Sequence, residues 1–248
     1  MAGMKQRLAE GEQLLGALVR MPAEELVEMV GVAGFDYVLI DCEHGPADLI
    51  PLRQHIAAAQ VHGMDVLVRV GQNEPALIQR VLDHGAGGVV VPHVDDAGGA
   101  AAAVHAARYP PVGDRGFATY GRAGRYGTRA AADHLAADAR ETLVVAMVES
   151  AVGCRNARDI VATPGIDAVM AGPADLAVSL EVAGPADPVV VAAVADVHRA
   201  AAEHGRTRLE IVSDAPRARA AFDAGAGLVV VNLSHVLMET FAGLRAVR

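Results

Sequence analysis

The stretch "LDHGAGGVVV", residues 82–91, decides the fold. Its helix-like start stops at Gly85, a residue type that accepts the left-handed backbone needed to leave a helix. The chain then enters a β-branched apolar run. The same phrase recurs as "GVAGFDYVLI" at 31–40 and "FDAGAGLVVV" at 222–231. Working outward gives eight short apolar runs: 14–19, 37–41, 66–70, 88–92, 143–149, 167–172, 208–212 and 228–232. Ala-rich segments with helical periodicity separate most of them. Eight such units in 248 residues predict an α/β fold, a closed (β/α)₈ barrel, with residues 1–248 forming one domain. The competing architecture is a doubly wound open sheet, but no G-x-G-x-x-G follows the first strand.

Bulk properties narrow the function classes. The chain is 52% hydrophobic, with mean hydropathy +0.29, enough for a large core. No apolar run approaches the roughly 20 residues that span a bilayer. The polar start "MAGMKQRLAEGEQ" lacks a signal-peptide core, so no membrane association is expected and a cytoplasmic location is. Cys42 and Cys154 fit a reducing compartment and have no metal-ligand spacing. A net charge of −9 argues against nucleic acid as the main partner. Lys5 is the sole lysine and precedes the first strand, so an imine-forming lysine is lacking. The Gly-, Pro- and Arg-rich segment Arg108 to His134 reads as a long loop that carries function or contacts a neighbour.

In such a barrel the working residues lie where strands end. Strand two ends in "DCEH", placing Asp41, Glu43 and His44 together; strand three carries Arg69; strand four ends at Pro92 and His93. Strand five ends in Glu149, and strand six runs into "GPAD", Gly172 to Asp175. Strands one and eight add Arg20 and Asn232 there. Glu149 and Asp175 read either as a carboxylate pair for Mg²⁺ or Mn²⁺, or as helix caps and solvated rim charges. His44 is the acid/base candidate, with Asp41 able to fix its tautomer; a structural histidine is the competing role. Arg69 needs an anion, which is Asp41, Glu43 or a substrate oxyanion. Cys42 has no dedicated base and reads as a packing residue. The backbone from Gly172 through Pro173, Ala174 and Asp175 can hold a carboxylate or phosphate.

The ordered set "FDYVLIDCEHGPADL", "VLVRV", "LIQRVLDHGAGGVVVPHV", "RYPPVGDRG", "RAGRYG", "VES" and "GPADL" resembles the HpcH/HpaI-type class II pyruvate aldolases over about residues 10–240. The resemblance implies a (β/α)₈ barrel of the phosphoenolpyruvate/pyruvate type, its last helix exchanged between subunits in a trimer-based hexamer. It implies a divalent cation (Mg²⁺, Mn²⁺ or Co²⁺) on Glu149 and Asp175, and substrates that are pyruvate or another 2-oxo acid plus an aldehyde. By the same likeness Arg69 stabilises the enolate and His44 is the base, linked to Asp41 and to a neighbour's Asp83. Glu43 is then mainly structural, and Gly172, Pro173, Ala174 and Asp175 bind the pyruvate carboxylate. Close alternatives are oxaloacetate decarboxylation and CoA-ester cleavage; a non-catalytic keto-acid-binding barrel belongs to a different class. Departures from the family pattern are Met147 for a Gln, Cys42 at a small position, Ala177 for a Ser, and Asn232 with Ser234 in "VNLSH".

Overall fold

A computed structural model of the chain describes residues 3–45 and 49–247. Pro46, Ala47 and Asp48, which extend the "DCEHG" motif, and Met1, Ala2 and Arg248 lie outside the described residues. Eight parallel strands close into a barrel in sequence order. They are β1 (Leu14–Val19), β2 (Tyr37–Asp41), β3 (Asp65–Arg69), β4 (Gly88–Val91), β5 (Leu143–Val148), β6 (Ala168–Ala171), β7 (Thr207–Val212) and β8 (Leu228–Asn232). Each bound lies within one residue of the sequence reading. Such runs are legible because both faces of most strands are buried: β2, β4 and β5 are buried at every position.

Side chains alternate between two compartments. One set fills the barrel itself, including Leu18, Tyr37, Leu39, Leu67, Val145 and Met170. The other faces the helices and forms the larger cluster with Val27, Ile56, Ile78 and Ile160. Helix α1 (Met4–Ala9) plugs the end where strands begin, with Met4 buried among the interior residues. Lys5 is held there by Asp167, with Nζ–Oδ1 at 2.7 Å.

The outer helices are α2 (Glu24–Val32), α3 (Leu49–Val61), α4 (Pro75–Asp83), α5 (Ala97–Ala107), α6 (Ala131–Glu141), α7 (Ala151–Arg155), α8 (Ala157–Ala162), α9 (Pro173–Ser179), α10 (Pro188–Glu203), α11 (Ala215–Asp223) and α12 (Leu233–Arg245). Local chemistry starts several of them. Asp96 accepts the Gly99 N–H at 2.7 Å to cap α5, and proline opens α4, α9, α10 and α11. The recurring helix-stop glycines do what the sequence phrase predicts: Gly34, Gly85 and Gly225 have φ of 86°, 96° and 88°.

The expected long loop is shorter and better packed than its composition suggests. A 3₁₀ turn covers Arg125–Gly127, and α6 begins at Ala131, so His134 is helical. Tyr109, Phe117 and His134 meet edge to face, and the Tyr109 hydroxyl lies 3.0 Å from His134 Nε2. Arg115 is buried over the Tyr109 ring and paired with Asp83 and Asp138, both at 2.7 Å. Periodicity could not reveal this segment because its buried members are polar and aromatic. Among the described residues no helix is long and apolar enough to cross a membrane.

Candidate active site

The parallel strands end together, which gathers the polar residues of β2, β3, β4, β5 and β6 at one mouth. Register fixes the first pair: Asp41 and Arg69 are partner positions at the last residues of β2 and β3. Both are buried, and the guanidinium grips the carboxylate in a two-pronged pair, Nε–Oδ1 3.0 Å and Nη2–Oδ2 2.5 Å. Arg20 adds a contact to Asp41 Oδ2 at 2.7 Å, and the N–H groups of Glu43 and His44 donate to Oδ1 at 3.1 and 3.2 Å. Burial pushes the Asp41 carboxyl up, but the hydrogen bond and charge of Arg69, helped by Arg20, outweigh it and hold the pKa at about 2. Asp41 is therefore an anion at neutral pH that shapes the turn.

This differs from the sequence expectation in one respect. Asp41 reaches His44 through the backbone N–H, and the His44 imidazole is half exposed, with Nε2 3.8 Å from Glu43 Oε2. The carboxylate is committed to two arginines, so it orients the loop that bears His44 and not the ring. Cys42 beside it is pushed up to about 11, by burial first and by Asp41 second, which suits a packing role.

Glu149 follows β5 and is almost wholly buried. It accepts the backbone N–H of His93 at 2.8 Å, and His93 Nδ1 lies 3.1 Å from the same oxygen. Burial raises its pKa, with Glu43 and Asp175 adding repulsion, against the pull of His93. The Glu43 side chain is largely enclosed as well: Oε2 lies 3.1 Å from Arg69 Nη1 yet accepts no hydrogen bond. Glu43, His93 and Glu149 each present a ligand atom, and these atoms lie within 4.8 Å of one another. Asp175 stands apart from that trio. It is exposed, on the first turn of α9, and close enough to Glu149 to repel its charge.

Asp41, Glu43 and Glu149 are three sequestered carboxylates, and the arginines that face them among the described residues, Arg69 and Arg20, are both already bonded to Asp41, while the imidazoles of His93 and His44 stand beside Glu149 and Glu43. A set of carboxylate oxygens of this kind, with an imidazole beside them, is one that a divalent cation suits.

Gly172 explains how the β6 end fits so closely against Glu149. A Cβ there would stand 2.7 Å from Glu149 Cβ and 2.9 Å from its Oε2, so the turn into α9 passes too near for any side chain. The resulting cleft, about 460 Å³, is lined by His44, Arg69 and Met147 and by the Gly172–Asp175 turn. Met147 Sδ lies 3.8 Å from Arg69 Nη1, a soft contact in place of an amide.

Of the sequence-predicted residues, Asp83 alone is absent from this mouth. It ends α4, at the opposite end of the barrel, and its carboxylate binds Arg115. His93 is the residue whose importance sequence reasoning missed. Its place at a strand end is plain, but nothing in "VPHV" announces that its ring spans the Glu149 and Glu43 carboxylates.

The profile of the HpcH/HpaI aldolase/citrate lyase family matches residues 18–233. The 2-dehydro-3,6-dideoxy-6-sulfogluconate aldolase of Pseudomonas putida is 39% identical over 183 residues, 73% of this chain and 71% of that protein. The 5-keto-4-deoxy-D-glucarate aldolase of Klebsiella pneumoniae is 34% identical over 228 residues, 92% and 88% of the two chains. Among solved structures, an HpcH/HpaI aldolase/citrate lyase family protein from Burkholderia cenocepacia superposes with a TM-score of 0.91 at 34% identity, covering 99% of this chain and 98% of that one. Because the match runs from the first strand to the start of the last helix, the chain belongs to the HpcH/HpaI aldolase/citrate lyase family, as a carbon–carbon lyase of the class II pyruvate aldolase type.

Proposed function

We propose that this enzyme is a divalent-metal-dependent aldolase that cleaves or forms 4-hydroxy-2-oxo acids through a pyruvate enolate. The observation that carries the reading is the uncompensated acidity of the mouth, with Glu149 and Glu43 buried beside an arginine already claimed by Asp41. The position of Lys5 supports it: the sole lysine is salt-bridged at the far end of the barrel, away from any carbonyl bound in the cleft.

In this reading Glu149 and Asp175 hold the cation. When bound, a divalent cation polarises the ketone of a 2-oxo acid and offsets the negative charge that its enolate develops. The backbone of Gly172 to Asp175 seats the substrate carboxylate. Arg69, fixed by Asp41, directs N–H groups at the enolate oxygen. His44, half exposed on the cleft, takes the proton of the 4-hydroxyl in the cleavage direction; the C3–C4 bond then breaks to give an aldehyde and the enolate of pyruvate, which is protonated on carbon. A neighbouring subunit's Asp83 assists His44 in the assembled enzyme.

Assembly is part of the same proposal. Helix α12 has no buried residue and exposes Met238, Phe241 and Leu244, while a groove of about 1000 Å³ lies between it and Leu15, Phe222 and Val231. We infer that α12 is exchanged between subunits of a trimer-based hexamer. The CoA-ester alternative finds less support: Arg122, Arg125 and Arg129, which could bind its phosphates, line a cavity with Met64, Asp65 and Gly87 where strands begin, away from the cleft. The two free thiols suit a reducing compartment such as the cytoplasm.

The test is pyruvate release from a panel of 4-hydroxy-2-oxo acids. Activity should vanish with a chelator and return with Mg²⁺, Mn²⁺ or Co²⁺. Full activity in Glu149→Gln, or in chelator, would overturn the metal assignment.

A further inference from the structure

His93 has a geometry that the chemistry above does not use. Its φ of 53° places a non-glycine residue in the left-handed region, which histidine adopts more readily than most side chains. That backbone aims two groups at one oxygen: the N–H at 2.8 Å and ring Nδ1 at 3.1 Å from Glu149 Oε1. The other ring nitrogen, Nε2, lies 3.5 Å from Glu43 Oε1. One imidazole thus stands between two buried carboxylates, one of which has an oxygen with no hydrogen-bond donor. Strained backbone persists where its surroundings enforce it, and it clusters at functional sites.

We propose that His93 supplies a nitrogen ligand to the cation of Glu149, with Glu43 as a further donor, and so biases the site toward first-row transition ions over Mg²⁺. The inference rests on the reading that Glu149 holds a divalent cation. Its chemical basis is ligand preference. An imidazole nitrogen binds Co²⁺, Ni²⁺ or Zn²⁺ well, whereas Mg²⁺ keeps oxygen ligands and water. A site of carboxylates and water has no such bias; a site with one nitrogen does. The ring is largely exposed, so it can adjust toward an ion held between Glu149 and Glu43 without disturbing the core.

Two measurements on the full chain test this, neither of them activity. The first is calorimetric titration of the metal-stripped protein with Co²⁺ and, separately, Mg²⁺. His93→Asn, which tolerates the left-handed backbone, and His93→Gly should each weaken Co²⁺ binding by about tenfold or more. Mg²⁺ binding should change by less than about twofold, since it makes little use of nitrogen. Imidazole added to His93→Gly should restore Co²⁺ affinity. The second is pulsed electron paramagnetic resonance of the Mn²⁺-loaded wild type, in which ¹⁴N coupling is expected and should be lost in His93→Gly. Absence of ¹⁴N coupling in the wild type, or unchanged or tighter Co²⁺ binding in both variants, would make His93 a hydrogen-bonding neighbour only and leave the metal reading intact. A wild type that binds none of the three ions would overturn both.

Discussion

Arg69 and Asp41 bear most of the electrostatic stress of the mouth. Removing one partner of a buried ion pair strands the other, so Asp41→Asn should destabilise the fold by about 3–5 kcal/mol, measured by chemical denaturation. Its pH signature follows from a folded pKa of about 2 against an ordinary 3.8. Because the folded value is depressed, the stabilisation is complete above the ordinary value and is lost as pH falls from about 4 to 2. The stability gap between wild type and Asp41→Asn should therefore narrow across that window. At His44 the expectation is kinetic: His44→Ala should slow aldol cleavage by about 10²–10⁴-fold. Exchange of pyruvate methyl protons into D₂O, followed by NMR, should survive, because the enolate is stabilised by other groups. The residues of this site were legible as types, since charged side chains after apolar strands stand out. Their pairings were not. Asp41 sits three positions from His44 in sequence, yet it spends its oxygens on Arg69 and Arg20, and only the strand register reveals why.

At the scale of elements, the turn from β6 into α9 has the least tolerance. Gly172→Ala would drive a methyl group into Glu149. The variant should fold, because Gly172 is at a helix boundary with an unremarkable φ of −103°, yet bind divalent cation about tenfold more weakly as Glu149 shifts. Calorimetric titration checks it, and an unchanged affinity would show that Glu149 does not position the ion. The strands themselves were readable to within a residue because β-branched runs flanked by glycine turns have few other homes. The helices were readable where alanine periodicity dominates, as in α5. What escaped was structure built from polar burial. The segment after α5 looks like loop by composition, yet Arg108 and Arg115 are buried, and their partners Asp138 and Asp167 lie far along the chain.

At the scale of the whole molecule, α12 asks for a partner. Its Met238, Phe241 and Leu244 are exposed large apolar side chains on one helix, the kind of surface that interaction sites use. If the proposed hexamer is right, Phe241→Glu should reduce it to smaller species by mass photometry, and the activity should fall with it through loss of the proposed contribution of Asp83 to a neighbour's mouth. Asp83→Asn should lower the rate while leaving the assembly whole. The proposed exchange and the proposed role of Asp83 rest on the family resemblance and not on periodicity, because both concern surfaces that one chain leaves unfilled. Lys5, tied down beside the plug of the barrel, has a practical corollary. It is the sole lysine of the sequence. A reagent that couples through the lysine side chain will attach this protein by its closed base, so tethered to a sensor chip or resin, every molecule held that way would present its open mouth to the flow.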